Sequence, residues 1–267
     1  MLDSRSSFLR KDTHLDGLAM SNPSVVRGML SALFAAIALL ALSAPCRAEL
    51  LTFREGDGNG YLGTQDTYLA SSTPNTIHGA DTFTSILGPG IRESHALLQF
   101  DDVFGVSSTQ IPLGSLINTA TLRLSTRFTT ANTVFMHEML INWSQDVATW
   151  NSLGAGIQTN DIEAKQAIAA SFTAPGGFVD IDVTSSLQNW SEGETNLGWA
   201  LLITAANTDA YGFQTSENGS FGLRPLLTVD FSPVPEPGSF AIVALLFSCA
   251  AGYAGTSTRQ RLRRRNS

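Results

Sequence analysis

The stretch Ala120-Thr121-Leu122-Arg123-Leu124-Ser125-Thr126-Arg127 decides the fold class. Ala120, Leu122 and Leu124 point one way, and Thr121, Arg123, Ser125 and Arg127 point the other. A period of two with one apolar side is a half-buried strand. The same alternation recurs on both sides of it. Ala96, Leu98 and Phe100 share a face, as do Val179, Ile181 and Val183, and Leu227, Val229 and Phe231. The run 197–203 (LGWALLI) is apolar on both faces and predicts a central strand. Further strands are expected at 67–70, 83–87, 133–141, 168–173 and 211–215. Gly, Pro and Asn punctuate the gaps, as at Pro74-Asn75, Gly88-Pro89-Gly90, Pro112-Leu113-Gly114 and Asn218-Gly219.

About ten short strands with such turns predict an all-β chain, a single jelly-roll-like β-sandwich. One short helix is expected to plug it. Ser185 and Gln188 have capping-box spacing, Leu187 and Trp190 share a face, and Gly193 ends the segment. No repeat with a period of 20–50 residues is visible. The expected organisation is an N-terminal extension and signal peptide over 1–48, one sandwich over 49–232, and a sorting segment over 233–267.

Charge narrows the partners. The 267-residue chain carries a formal charge of −7, but residues 49–232 alone hold 19 acids against 6 bases. So acidic a domain repels a phosphate backbone, which argues against nucleic acid as a partner. Both cysteines, Cys46 and Cys249, fall in the end segments, so the sandwich is expected to stand on its core without a disulfide.

The ends read as addresses. Residues 30–42 (LSALFAAIALLAL) form an apolar run after Arg27, and Ala48 suits cleavage before Glu49. Residues 1–19 carry Asp3, Asp12 and Asp16 among their bases, so Met20 competes with Met1 as the start. At the other end, Val234-Pro235-Glu236-Pro237 precedes an apolar segment, then a basic cluster that includes Arg263, Arg264 and Arg265. Fifteen apolar residues make about 22 Å of helix at ~1.5 Å each, short of a ~30 Å hydrocarbon core. The arginines orient that segment with the sandwich outside. Transient membrane insertion followed by cleavage near Val234–Ser239 is the expectation.

Two resemblances follow. Asp66-Thr67-Tyr68-Leu69, Leu97-Leu98-Gln99-Phe100-Asp101, Ile111-Pro112, Ala120–Leu124, Thr149-Trp150-Asn151, Ile181-Asp182-Val183-Thr184 and Arg224-Pro225-Leu226 occur in an order that resembles the DNRLRE-type domain of exported bacterial proteins. The match runs over roughly 66–231. It lacks the literal DNRLRE string and places Gln99 where a basic residue is usual. It implies a carbohydrate-binding-module-like sandwich, with acidic polysaccharides such as alginate among the ligands of some relatives. The tail resembles the PEP-CTERM sorting signal. That implies an exosortase-type sorting enzyme as partner, in a Gram-negative-type bacterium that makes extracellular polysaccharide. The expected location is the cell surface or extracellular matrix, after transient inner-membrane anchoring.

For ligands, Trp143 and Trp150 flank a polar loop and are the glycan-stacking candidates, with Tyr61, Tyr68, Arg92 and Arg127 behind them. Trp190 and Trp199 are expected in the core. Glu55-Gly56-Asp57-Gly58-Asn59-Gly60 has calcium-like spacing at its start, but Tyr61 stands at the next ligand position. A structural calcium involving Asp57, Asn59 or Asp66 is set against a plain Gly-rich turn, and the turn is preferred. His78, His95 and His137 lack HxH or HExxH spacing, and no Gly-x-Ser-x-Gly elbow exists. No catalytic residue is assigned. The expectation is a non-catalytic exported protein that binds or structures extracellular polysaccharide. A structural or adhesive module without a ligand site is the alternative, and a polysaccharide-active enzyme the lesser one.

Overall fold

The 120–127 alternation sits in the longest strand among the described residues, and two sheets assemble around it. The computed structural model describes residues 47–233 apart from 91, 175, 207 and 208. The signal-peptide run, the Val234–Pro237 motif and the cluster with Arg263, Arg264 and Arg265 lie outside the described residues. Ala48 is inside them, exposed and just before the first strand. Among the described residues no helix is long and apolar enough to cross a membrane.

The strands are β1 (Glu49–Phe53), β2 (Thr64–Ala70), β3 (Ser94–Phe100), β4 (Leu116–Phe128), β5 (Thr130–Glu138), β6 (Ala170–Ala174), β7 (Phe178–Asp182), β8 (Trp199–Leu202), β9 (Gly212–Phe213) and β10 (Leu226–Ser232). One helix, α1 (Thr184–Ser191), joins β7 to β8. The first sheet has the order β1-β10-β4-β7, with β9 also on β4; the second has the order β2-β3-β8-β5-β6. Every one of these strand pairs is antiparallel. The result is an all-β, two-sheet arrangement consistent with a β-sandwich, closed by one short helix.

The core lies between the sheets. Leu122 and Leu124 of β4, Leu227 and Val229 of β10, and Ile181 of β7 share one buried cluster with Ala96, Leu98 and Phe100 of β3, and Trp199 and Leu201 of β8. Fully burying a Leu or Phe side chain is worth about 1.5–3 kcal/mol. Strand pairing here is therefore set by which face each residue presents. A one-residue slip would expose the whole row.

β8 is central, as its two-faced apolar run predicts. Trp199 and Leu201 enter the main core, whereas Ala200 and Leu202 join a second cluster on the sheet's outer face. Leu69 and Leu97 belong to that second cluster, and its cover comes from Met139, Ala148, Trp150, Leu153, Ile157 and Ala164. These six fall in the connection 139–169 between β5 and β6, which lies over the sheet as a lid.

Three expectations change on folding. Residues 83–87 make only isolated bridges, Phe83 to Gln214, Ile86 to Tyr211 and Leu87 to Ser94, and no strand. β1 begins at Glu49 although Glu49 and Leu50 are both exposed. The capping box does not form. α1 starts at Thr184 with no side-chain cap, and the Gln188 side-chain Oε1 accepts from the Ile117 N–H at 2.8 Å instead. Thr184 Oγ1 likewise accepts from the Ala120 N–H at 2.9 Å. Both donors sit on β4 beyond the end of its pairing with β7, which stops at Thr121 opposite Asp182. The helix thus serves strand hydrogen bonds that the end of β7 leaves over.

A buried polar chain ties helix to sheet. Trp199 Nε1–H donates to Ser186 Oγ at 3.1 Å, and the Ser186 hydroxyl donates to Glu138 Oε1 at 2.6 Å. Lys165 Nζ meets Glu138 Oε2 at 2.7 Å and Glu194 Oε2 at 2.6 Å. Glu138 is buried, a position an ionised carboxylate holds only when paired and hydrogen-bonded. Lys165, one of two lysines in the chain, supplies the pairing charge.

Candidate functional site

The lid leaves the two outer sheet faces unequal. The second sheet's face is apolar and covered, while the first sheet's is polar and open. Register aligns Thr52, Thr228, Thr121 and Asp182 across four strands. Beside them Arg123 grips Asp180 through Nε and Nη2 at 2.6 and 2.8 Å.

A concave site opens where this sheet ends. β1 pairs only with β10, so its other side is an edge. There Leu51–Phe53 form one wall of a cleft of about 460 Å³. Asn59–Gly63 and Asp102 with Ser107–Gln110 form the rest. This volume falls within the ordinary range for small-molecule sites, roughly 300–1,000 Å³.

Each wall is held by its own hydrogen bonds. Asp57 Oδ1 accepts from the backbone N–H of Asn59 at 3.0 Å and of Tyr61 at 3.2 Å, closing the Glu55–Tyr61 turn. Gln110 Oε1 accepts from the Ser107 N–H at 3.2 Å, and its amide nitrogen donates to the Asp102 carbonyl at 3.0 Å. Asp102 takes a left-handed conformation, φ 55°, that lets the chain turn into this loop. Tyr61 forms part of the lining. Its ring meets Phe53 edge-on at 5.3 Å, and its hydroxyl donates to the Asp101 carbonyl at 2.8 Å. Burial first, then the nearby Asp101, Glu55 and Asp102 charges, pushes the Tyr61 phenol well above its ordinary range. It stays a neutral donor.

The cleft offers hydroxyls, amides, one carboxylate and an aromatic edge, and neither Lys nor Arg lines it. Such a lining suits hydroxyl-rich, uncharged groups. A polyanion would meet Asp102 without a compensating cation.

The residues singled out from sequence are dispersed. Asn59 and Tyr61 reach the cleft. Asp57 directs its carboxylate to its own turn, with Oδ2 also accepting from Asn59 Nδ2 at 3.5 Å. Asp66 is fully buried on β2. Trp143 and Trp150 both pack in the lid cluster. Trp143 is half-buried, and its Nε1–H donates to the Leu197 carbonyl at 3.0 Å. Trp150 is 9% exposed, with His95 at 5.2 Å between ring centroids. At Gly156 (φ 94°) a Cβ would come within 2.6 Å of the Trp150 ring. That placement leaves Trp150 no open ring face for a sugar. Trp190 and Trp199 meet in the core at 4.8 Å.

The histidines go three ways. His78 contacts Asp81 and stacks on Tyr68 at 4.0 Å, His95 bonds Glu93 and the Ile157 N–H, and His137 Nδ1 faces the Lys165 carbonyl. Among the described residues no group of three or more His, Cys, Asp or Glu is arranged to hold a metal ion. Gln99, which stands where the resembling family has a base, is buried and donates to the Asn196 carbonyl at 3.0 Å. Sequence reasoning missed the 102–110 wall, because its shape depends on a left-handed Asp102 that composition does not announce.

The match of a carbohydrate-binding-module family over most of this antiparallel two-sheet scaffold makes it a carbohydrate-binding-module-like domain. The chain belongs to carbohydrate-binding module family 96, whose profile matches residues 61–230. The match begins at Tyr61 in the cleft and ends on β10, so β1 lies outside it. No curated protein matches the chain.

Proposed function

We propose that this protein is a non-catalytic, exported module that binds extracellular polysaccharide through the cleft between β1 and the 57–63 and 102–110 loops. The observation that carries the reading is family membership over 61–230, which begins at the cleft. The uncharged donors and acceptors favour a neutral, hydroxyl-rich glycan over an acidic one. The two sheet orders support a jelly-roll class for the sandwich. Sorting belongs to the same reading. Val234-Pro235-Glu236-Pro237 and the Arg263–Arg265 cluster would address the chain to an exosortase-type enzyme after transient inner-membrane insertion, with delivery to the surface or matrix.

The test is affinity electrophoresis of the full chain through gels containing neutral or acidic polysaccharides, with Asn59→Ala/Gln110→Ala and Trp143→Ala variants. Retardation in a neutral glycan that the double variant loses supports the cleft. Loss only in Trp143→Ala moves the site to the lid. No retardation in any glycan favours the structural or adhesive alternative, and depolymerised glycan favours an enzyme.

A further inference from the structure

The wall of the cleft holds one of the two Asn-Gly pairs in the chain, Asn59-Gly60; the other is Asn218-Gly219. An asparagine before glycine is open to attack at its own Cγ by the next backbone nitrogen, because no Cβ on the glycine stands in the way. The fold holds the two pairs differently. Asn59 and Gly60 are both exposed. The Asn59 carboxamide makes one long contact, Nδ2 donating to Asp57 Oδ2 at 3.5 Å. The Gly60 N–H donates to the Asp57 carbonyl at 3.0 Å, and a Cβ on Gly58 or Gly60 would meet nothing within 4 Å. That exposed bond opens by local fraying without disturbing a packed side chain. Asn218 is half-buried, and its carboxamide is fixed at both ends. Nδ2 donates to Gln214 Oε1 at 2.7 Å, and Oδ1 accepts from the Ser220 N–H at 2.8 Å.

We propose that Asn59 is a site of spontaneous deamidation, a one-way covalent change that alters the cleft as the protein ages. The Gly60 nitrogen gives its proton to water or hydroxide and bonds to Asn59 Cγ, and the side-chain amide leaves as ammonia. Water then opens the cyclic imide at either carbonyl. Opening at Cγ leaves aspartate. Opening at the main-chain carbonyl leaves isoaspartate, which lengthens the backbone by a methylene. Either product sets a new carboxylate beside Asp57, whose Oδ2 loses its amide donor and faces a like charge. The cleft, where Asp102 is the one carboxylate of the lining, gains a second. The turn that carries Asn59 and Tyr61 into the lining is thereby pushed open. The effect on glycan rests on the cleft being the glycan site; the conversion itself does not.

The full chain is held in mildly alkaline buffer, and the peptides carrying Asn59 and Asn218 are followed by mass spectrometry for exchange of amide for acid. Asn59 should convert about fivefold faster than Asn218, the worth of the one ordinary hydrogen bond by which the second pair is better held. In urea, where both pairs are released, the two rates should come together. Asn59→Gln should abolish conversion at this position, because the longer side chain must close a larger ring. Equal rates in the folded chain, an unchanged ratio in urea, or no conversion at Asn59 overturns the proposal. Retardation by the neutral glycan is read separately on the same aged samples. It should fall in step with conversion and be weak from the outset in Asn59→Asp. Conversion at Asn59 with unchanged retardation upholds the modification site and tells against the cleft as the glycan site.

Discussion

Replacing Trp150 with alanine separates packing from ligand stacking at one of the two residues the sequence offers as a sugar platform. The indole is 9% exposed and belongs to the cluster beneath the 139–169 lid. It lies against His95 and fills the space that Gly156 leaves by lacking a Cβ. Buried Trp→Ala changes cost about 3–5 kcal/mol, the transfer loss plus the cavity left behind. The lid is irregular and can collapse partly into that space, so the lower end, about 3 kcal/mol, is expected. At roughly 2–4 °C per kcal/mol for a domain of this size, the unfolding midpoint should fall by roughly 6–12 °C. Urea unfolding would read the same loss as a shift in midpoint, with a slope unchanged unless the lid already opens in the native state. Glycan retardation, measured well below the new midpoint, should be unaltered. A loss under about 1 kcal/mol, or abolished retardation at full stability, would refute the reasoning.

Two further outcomes follow from named contacts. Gly198→Ala would place a Cβ 2.2 Å from the Leu98 carbonyl oxygen at φ 71°; the clash and the left-handed backbone should together cost more than about 2 kcal/mol by calorimetry. His95 has its imidazole pKa lowered by burial, against the opposing pull of Glu93. A lowered base means that the unfolded chain binds the proton more readily. Stability is therefore full above the ordinary value of 6.5 and falls as pH drops below it. Hydrogen exchange at Ile157, whose N–H donates to His95 Nδ1 at 3.0 Å, should accelerate in that window. His95→Gln should remove the pH dependence.

Alternation made the interior legible and little else. β4 and β10 could be placed because burial of one face selects a period of two, and β8 because an unbroken apolar run marks a strand buried on both faces. β1 was not visible as a strand, because Leu50 is 65% exposed and its pairing with β10 rests on backbone hydrogen bonds. The Ser185/Gln188 spacing was real, but the tertiary demand of the Ile117 N–H captured Gln188 first. The cleft was the least legible part. Its walls come from 51–53, 59–63 and 102–110, and only the folded topology brings them together. The placement of the tryptophans was hidden for a related reason. A polar loop between two of them looks like a binding surface, yet the Trp150 ring packs with Leu153, Ile157 and Ala164 over Leu97 and Ala200, and Trp143 packs against the same cluster.

The pairing of β1 with β10 has a mechanical consequence. Glu49 lies opposite Phe231, and Phe53 opposite Leu227, so the domain's first and last strands run side by side in opposite directions. Both ends of the domain therefore leave from the same end of one ladder. Tension applied between those ends would load the ladder's hydrogen bonds one after another, as in a zipper, instead of shearing all of them at once. The first strand to peel would be β1, and with it one wall of the cleft. A stretched tether would thus release whatever the cleft holds before the core between the sheets gives way. Single-molecule pulling on the two ends would read that ladder as the first and weakest event.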